Sequence, residues 1–464
     1  MKSALTLGAV AIAAATTLVH CASQDEHPGT VEDAGRSEDA ASEAEADAGA
    51  DADASDAATE DEYEIPDGSV SCEASPCVVA LGGSDEALGT FCALLDDKTV
   101  QCWGSNILQR LGYVPAGGGF PMSTTPHRLP NLSGVTSLSV GGYNACARVE
   151  DGSVFCWGQD ILVGAGMSPD AGPVSPGGAL PTRMDLVPLA KDVAVGTQTA
   201  CVTSATGGLS CWGRNTASQL ARPTSEVGGP SEIPVGGRSI ALAAPGQDAM
   251  FAVTTSGELL SWGGARCINV SPSCAYLLGR GTSEDPDPVP TLVPDLSKVR
   301  AVAPASRYAC AIAGRHVECW GGNTNGELGR GFVTDVSKLP APTILSRVTE
   351  AEDADAGLPH RADIPLQIVG NKSKTCAVMG SGRVYCWGPG QPPSERGRPT
   401  RVDGLSGPVV ALALNENTSC ALLRSGVVEC WGGNVVGNLG RGIDDGFLDQ
   451  EWVDLKPAPV TFER

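Results

Sequence analysis

From about residue 78, hydrophobic and polar positions alternate in short bursts, as in Cys146-Ala-Arg-Val-Glu-Asp-Gly-Ser-Val-Phe-Cys156-Trp157-Gly158. A period of two on either side of a polar, Gly-containing centre predicts two short strands joined by a tight turn. The burst recurs and each time ends in Trp-Gly, at Trp103, Trp157, Trp212, Trp262, Trp320, Trp387 and Trp431. Successive tryptophans are separated by 44 residues (Trp387 to Trp431) to 67 residues (Trp320 to Trp387), so the chain holds seven copies of one supersecondary unit.

The cysteines follow the same rhythm. Cys92/Cys102, Cys146/Cys156, Cys201/Cys211, Cys376/Cys386 and Cys420/Cys430 are ten residues apart, and Cys310/Cys319 nine. Ten residues place two cysteines opposite one another if the hairpin loop has three residues, the third left-handed. Gly152, Gly207, Gly382 and Gly426 occupy that third position, and Lys98 stands there in the first unit. Nine residues require a two-residue loop, here Gly314-Arg315. Both geometries put the cysteines at a non-hydrogen-bonded pair, close enough for a disulfide. In the fourth unit both partners are missing together, replaced by Phe251 and Ser261. Cys72–Cys77 and Cys267–Cys274 complete eight predicted bridges and leave Cys21. Zinc thiolates are the rival reading, but the C-x-x-C knuckle is lacking.

Trp320-Gly-Gly-Asn-Thr-Asn-Gly-Glu-Leu-Gly-Arg-Gly331 and Trp431-Gly-Gly-Asn-Val-Val-Gly-Asn-Leu-Gly-Arg-Gly442, with Ser139-Val-Gly-Gly-Tyr-Asn-Ala-Cys-Ala147 before the turn, resemble the regulator-of-chromosome-condensation repeat. The resemblance covers roughly residues 78–464 and implies a seven-bladed β-propeller. In such a ring each blade buries the faces its neighbour cannot cover, and the tryptophans become core residues between blades. The stretch Trp452 to Phe462 resembles the strand preceding other units and is expected to complete the blade begun by Val78 to Gly82.

The ends are different polymers. Residues 1–21 carry Lys2 and then an uncharged apolar run from Ala4 to Val19, an export signal too short to span a membrane comfortably. Leu18-Val19-His20-Cys21 resembles a bacterial lipoprotein signal with Cys21 lipidated, although His20 departs from the small residue such signals carry; simple secretion and an uncleaved anchor are the alternatives. Residues 22–66 hold 16 acidic residues against Arg36, a composition that reads as a disordered acidic tether. Asp51, Asp53, Ser55 and Glu62 fall near calcium-loop positions, but Asp56 stands where the loop needs Gly. Residues 67–464 form the propeller.

Charge and composition narrow the function. A net charge of −23 argues against nucleic acid, and 17 cysteines argue for an oxidising compartment. No G-x-S-x-G elbow, HExxH or Walker loop is present, and the propeller holds only His127, His316 and His360. No catalytic residue, cofactor or metal is therefore assigned. The expectation is a non-enzymatic, monomeric interaction module at the outer membrane or cell surface, or else periplasmic or secreted. It would touch the membrane through a lipid anchor alone and present propeller loops to a protein or glycan. The inserts 105–134, 159–188, 264–296 and 330–365 are the variable loops available for this. The alternatives are an enzyme with a site in the central funnel and guanine-nucleotide exchange, the activity of the family's namesake. A secreted propeller that inhibits β-lactamases offers a nearer functional analogy.

Overall fold

The computed structural model describes residues 68–86, 88–113, 122–159, 180–264, 276–281, 286–355, 363–389, 396–442 and 455–463. Cys21, the predicted signal, the acidic segment to residue 66 and the Cys267–Cys274 pair lie outside them. Seven four-stranded antiparallel sheets follow one another along the chain. The innermost strands, Val78–Gly83, Val135–Val140, Asp192–Val195, Ile240–Pro245, Val299–Pro304, Pro365–Gly370 and Val409–Leu414, each pack against the next, and the last packs against the first. The result is a closed seven-bladed β-propeller. No helix among the described residues is long and apolar enough to cross a membrane.

The two central strands of each blade are the sequence-predicted hairpin. In blade 2, Ala147 faces Phe155 and Cys146 faces Cys156, and Gly152 (φ 86°) closes a three-residue loop. Lys98 takes the left-handed conformation in blade 1 (φ 63°), and Gly314 does so in the two-residue turn of blade 5 (φ 55°). Six hairpins carry a disulfide between directly opposed cysteines with Cα atoms 4.1 Å apart: Cys92–Cys102, Cys146–Cys156, Cys201–Cys211, Cys310–Cys319, Cys376–Cys386 and Cys420–Cys430. Cys72–Cys77 closes a loop ahead of blade 1. In blade 4, Phe251 faces Ser261 instead, and the Ser261 hydroxyl donates to the Leu278 carbonyl (2.8 Å).

Each interface between blades is built from one blade's bridge and the next blade's tryptophan. Trp157 packs with Cys92 and Cys102, Trp262 with Cys201 and Cys211, and Trp387 with Cys310 and Cys319. Across the joint from blade 7 to blade 1, Cys420 and Cys430 lie in one cluster with Trp103. Where blade 4 lacks a bridge, Phe251 fills the same place beneath Trp320, ring centroids 5.8 Å apart. The interface between blades 6 and 7 is the least covered. Cys376 is buried there, but Cys386 and Trp431 are only partly so, and the outer strand beyond Cys386 is just Thr400–Arg401. The expectation of a core tryptophan thus holds fully for the other six, and Trp431 is the exception.

Two expectations need correction. The C-terminal strand, Leu455–Pro459, does not complete the blade begun by Val78; it pairs with Val428–Gly432 as the outer strand of blade 7, placing Ala458 opposite Cys430. Blade 1 is complete by itself, its fourth strand being Met122–Arg128. Every blade is thus a contiguous stretch of chain, and closure uses the contact that joins any two blades. The Val78 N–H donates to the Gly426 carbonyl of the blade 7 turn, as the Val135 N–H does to Lys98 and the Val299 N–H to Gly257.

The four inserts, expected to be loops, also hold the outermost strands: Met122–Arg128, Thr182–Arg183, Asp287–Leu292 and Thr334–Pro342. The last insert adds an α-helix, Leu345–Asp355. Arg383 of blade 6 anchors that helix through Asp353 (2.7 Å) and reaches Asp363 with the same guanidinium (2.9 Å).

Candidate functional site

The loops at one end of the ring follow from the Trp-Gly-x-Asn sequence. Gly213 sits at φ 107°, and a Cβ there would lie 2.4 Å from the Gln198 carbonyl, so no other residue fits without moving backbone. Beyond it, an Asn side chain organises the loop. Asn106, Asn215, Asn323 and Asn434 accept through Oδ1 from the N–H of Leu111, Leu220, Leu328 and Leu439, at 2.9–3.0 Å. The folded loop presents the carbonyl just before that Leu to the next blade. Trp157, Trp262, Trp387 and Trp103 donate their indole N–H to the carbonyls of Arg110, Gln219, Glu327 and Asn438 at 2.8–3.0 Å.

A second latch comes from the side chain at the same position. Gln219 and Asn438 donate to the Gln247 and Gly89 carbonyls of the next blade's inner loop (3.2 and 2.7 Å). In blade 1 this residue is Arg110, nearly fully buried. It donates to the carbonyls of Gly142 (2.7 Å), Leu88 (2.6 Å) and Ile107 (2.9 Å).

Blade 1 departs from the pattern where it meets solvent. Blades 5 and 7 have Asn-x-x-Gly in this loop, blade 3 has Asn215-Thr216-Ala217-Ser218 with Ser218 left-handed (φ 59°), and blade 1 has Asn106-Ile107-Leu108-Gln109. Leu108 (φ 61°) and Gln109 (φ 60°) are both left-handed, which costs roughly 1–2 kcal/mol each for an L-residue with a side chain. Leu88, Ile107 and Leu108 are 36–42% exposed. Asn106 and Arg110 hold this strained, apolar loop in place, a combination of the kind found at binding sites.

Inside the ring runs a channel of about 340 Å³ lined by the innermost strands of all seven blades. Asp85 is the one charged residue in its lining. Beside it, Lys372 of blade 6 donates to Glu86 of blade 1 (2.8 Å), and Tyr143 of blade 2 also hydrogen-bonds Glu86. Burial, then the charge of Glu86, raises the Asp85 carboxyl above its ordinary value, with Lys372 and Arg110 pulling the other way. Burial works against the Lys372 ammonium, but its hydrogen bond to Glu86 and that residue's charge win, and its pKa rises. Burial and Glu86 raise the Tyr143 phenol. Acid–base catalysis needs a positioned pair, and Glu86, the neighbouring carboxylate, is already committed to Lys372 and Tyr143.

A pH test follows. The Asp85 carboxyl is raised in the folded state, so its stabilising contribution is full below the ordinary value of 3.8 and is lost as pH rises through the folded value. Asp85→Asn is expected to melt above the parent at neutral pH, at about 2–4 °C per kcal/mol recovered. The gap should close as pH falls toward the ordinary carboxyl value. A gap independent of pH in thermal melts would show that Asp85 does not titrate between the two states.

These features define a class, the closed propeller of disulfide-stapled hairpins latched by tryptophan. A profile of the regulator of chromosome condensation (RCC1) repeat matches residues 135–160, which hold the three inner strands of blade 2, so the chain carries a repeat of that type. It is 25% identical over 343 residues, 69% of either chain, to the RCC1 domain-containing protein RUG3, mitochondrial, of Arabidopsis thaliana. In fold it is similar to human WBSCR16, with a TM-score of 0.60 and 20% identity over 74% of this chain and 86% of that one. The yeast RCC1 (Prp20) structure with Kap60 gives 0.61 and 16% over 87% and 90%.

Among residues singled out from sequence, the described cysteines and tryptophans form the frame of the ring, and none lines the channel. Cys386 and Cys430, the second cysteines of blades 6 and 7, stand on strands next to the outer edge, opposite Thr400 and Ala458, and serve the frame like the rest. Ile107 and Leu108 lie in the first insert, but Asp85, Glu86, Tyr143, Arg110 and Lys372 were not legible as a group. The available signal was the inner loop of blade 1, Ser84 to Gly89, which is longer than Gly141 to Tyr143 in blade 2.

Proposed function

We propose that this chain is a non-enzymatic interaction module that seats a protein partner on the blade 1 loop, at Leu88, Ile107 and Leu108. The observation that supports it is the exposed Leu108 held in a left-handed backbone by Asn106 and Arg110. Stability would be served better by Gly there, so apolar exposure is maintained at a cost, as contact surfaces require. In this proposal the module works outside the cytosol, anchored by a lipid on Cys21 or released, where its disulfides persist.

The test is capture from envelope and secreted fractions with the oxidised protein and with Leu108→Gly. The variant keeps the backbone conformation, so it should melt at or above the parent temperature and capture its partner at least tenfold less. Equal capture by both proteins would remove the blade 1 loop from the proposal. Capture that free sugar abolishes would transfer the role to a glycan. Mass analysis of the mature N-terminus tests Cys21.

A further inference from the structure

Charge is unevenly shared round the ring. Residues 67–464 hold 29 Lys and Arg against 38 Asp and Glu, yet blades 5 and 6, residues 299–401, hold 13 against 9. The excess concentrates in the outer loop of blade 6, where Arg396, Arg398 and Arg401 stand within six residues, with Glu395 before them. All three arginines are exposed. Arg401 pairs with Asp403 at 3.5 Å, but both side chains are open to solvent and such a pair is weak.

The same loop packs against an exposed apolar pair. Phe332 is 53% exposed and Val333 47%, and Phe332 is the only exposed aromatic side chain among the described residues. The Gly331 N–H donates to the Gly397 carbonyl (2.8 Å), between Arg396 and Arg398. Asn323 donates to the Phe332 carbonyl and to the Thr334 hydroxyl, both at 3.1 Å. Gly326 and Gly397 meet backbone to backbone, since a Cβ on Gly326 would lie 2.3 Å from the Gly397 nitrogen. The two loops are therefore held as one surface. The corresponding contact between blades 7 and 1 runs from the Gly442 N–H to the Thr124 carbonyl (2.9 Å), and there the flanking residues are Ser123 and Thr125. The joint itself needs no arginine.

This combination selects its partner. Guanidinium groups favour carboxylates, which they bind with paired hydrogen bonds, and an exposed aromatic ring favours an apolar side chain. A nucleic acid or an anionic membrane spreads its charge beyond a Debye length of about 8–10 Å and would meet the acidic remainder of the ring. A short acidic peptide meets only the patch. We propose that the joint between blades 5 and 6 binds an acidic peptide segment of a partner protein. Its carboxylates lie on Arg396, Arg398 and Arg401, and an apolar side chain lies on Phe332 and Val333. The surface shares no residue with the blade 1 loop, so the two stand or fall separately.

Fluorescence anisotropy of a labelled peptide of four Glu-Glu-Leu repeats, titrated with the full oxidised chain, tests this. The same peptide with Gln for Glu, and phosphatidylserine vesicles, serve as comparators. Saturable one-to-one binding is expected, at least tenfold weaker with the Gln peptide and weakening as salt is raised. Phe332→Ser and the double variant Arg396→Gln, Arg398→Gln, both checked for an intact melt, should each lose at least fivefold. Leu108→Gly should bind as the parent does. No binding, a Gln peptide equal to the Glu peptide, or parental affinity in both patch variants would each overturn the proposal. Loss in Leu108→Gly alone would overturn it by moving the peptide to blade 1, and vesicle binding without peptide binding would overturn it in favour of a membrane.

Discussion

Removal of residues 455–464 is expected to destabilise the whole ring and not merely fray its end. The strand Leu455–Pro459 completes blade 7, and the residues after it work in blade 1. Phe462 stands edge-on to Trp103, ring centroids 5.6 Å apart, and Val460 packs in the same cluster. Glu463 exchanges hydrogen bonds with the Gln101 side chain, its carbonyl accepting at 2.8 Å and its N–H donating at 3.2 Å. Its carboxylate meets His127 at 2.7 Å. Deletion therefore strips an outer strand and uncovers a fully buried tryptophan at once.

Loss of a buried large aromatic costs about 3–5 kcal/mol, already a large part of a typical net stability of about 5–15 kcal/mol. The truncated protein should unfold at clearly lower denaturant with a broadened transition. Trp103→Ala should reproduce about 3–5 kcal/mol of this, and Trp431→Ala, at a partly exposed site, less. A truncated chain whose unfolding midpoint and slope match the parent's would show that the seam between blades 7 and 1 does not need these residues.

Reduction of the disulfides should have the second large effect. Each hairpin bridge closes a loop of about ten residues, worth about 2–3 kcal/mol in chain entropy, and six hairpins carry one. Their sum is comparable to or larger than a typical net stability. The reduced protein is expected to lose its cooperative thermal transition at temperatures where the oxidised protein is folded. Hydrogen exchange should show the loss everywhere but least in blade 4, whose hairpin is held by Phe251 and Ser261. An unchanged melt after verified reduction to free thiols would falsify the role given to the bridges.

The hairpins were legible because two independent signals agree in them. Where the cysteine spacing drops from ten to nine, the turn shortens to Gly314-Arg315, and the structure pairs Ala313 with His316 around it. The outer strands gave no such signal. Thr182–Arg183 and Thr400–Arg401 are two residues long, and Asp287–Leu292 contains two prolines, tolerated because an edge strand need not donate on its open side. The partial exposure of Cys386 was hidden for the same reason, since cysteine spacing fixes the partner across the hairpin and is silent about the strand outside it. The helix Leu345–Asp355 lies in an Asp- and Glu-containing insert, and its anchor Arg383 is 30 residues from Asp353. The channel mouth was hidden for a topological reason. Asp85, Gly142 and Lys372 hold corresponding places in blades 1, 2 and 6, and only closure of the ring brings them together.

The tryptophan latches all point the same way round the ring: Trp103, Trp157, Trp262, Trp320 and Trp387 each grip the blade before their own. Six of the seven joints between blades are also spanned by the peptide chain. The joint between blades 7 and 1 is not, and it is held by Val78 on Gly426, Trp103 on Asn438 and Phe462 on Trp103. It is the one place where the ring can part without a covalent bond breaking. Blade 1 carries both the contact loop and Asp85, so whatever tightens or loosens its seam with blade 7 acts on the one blade that serves both.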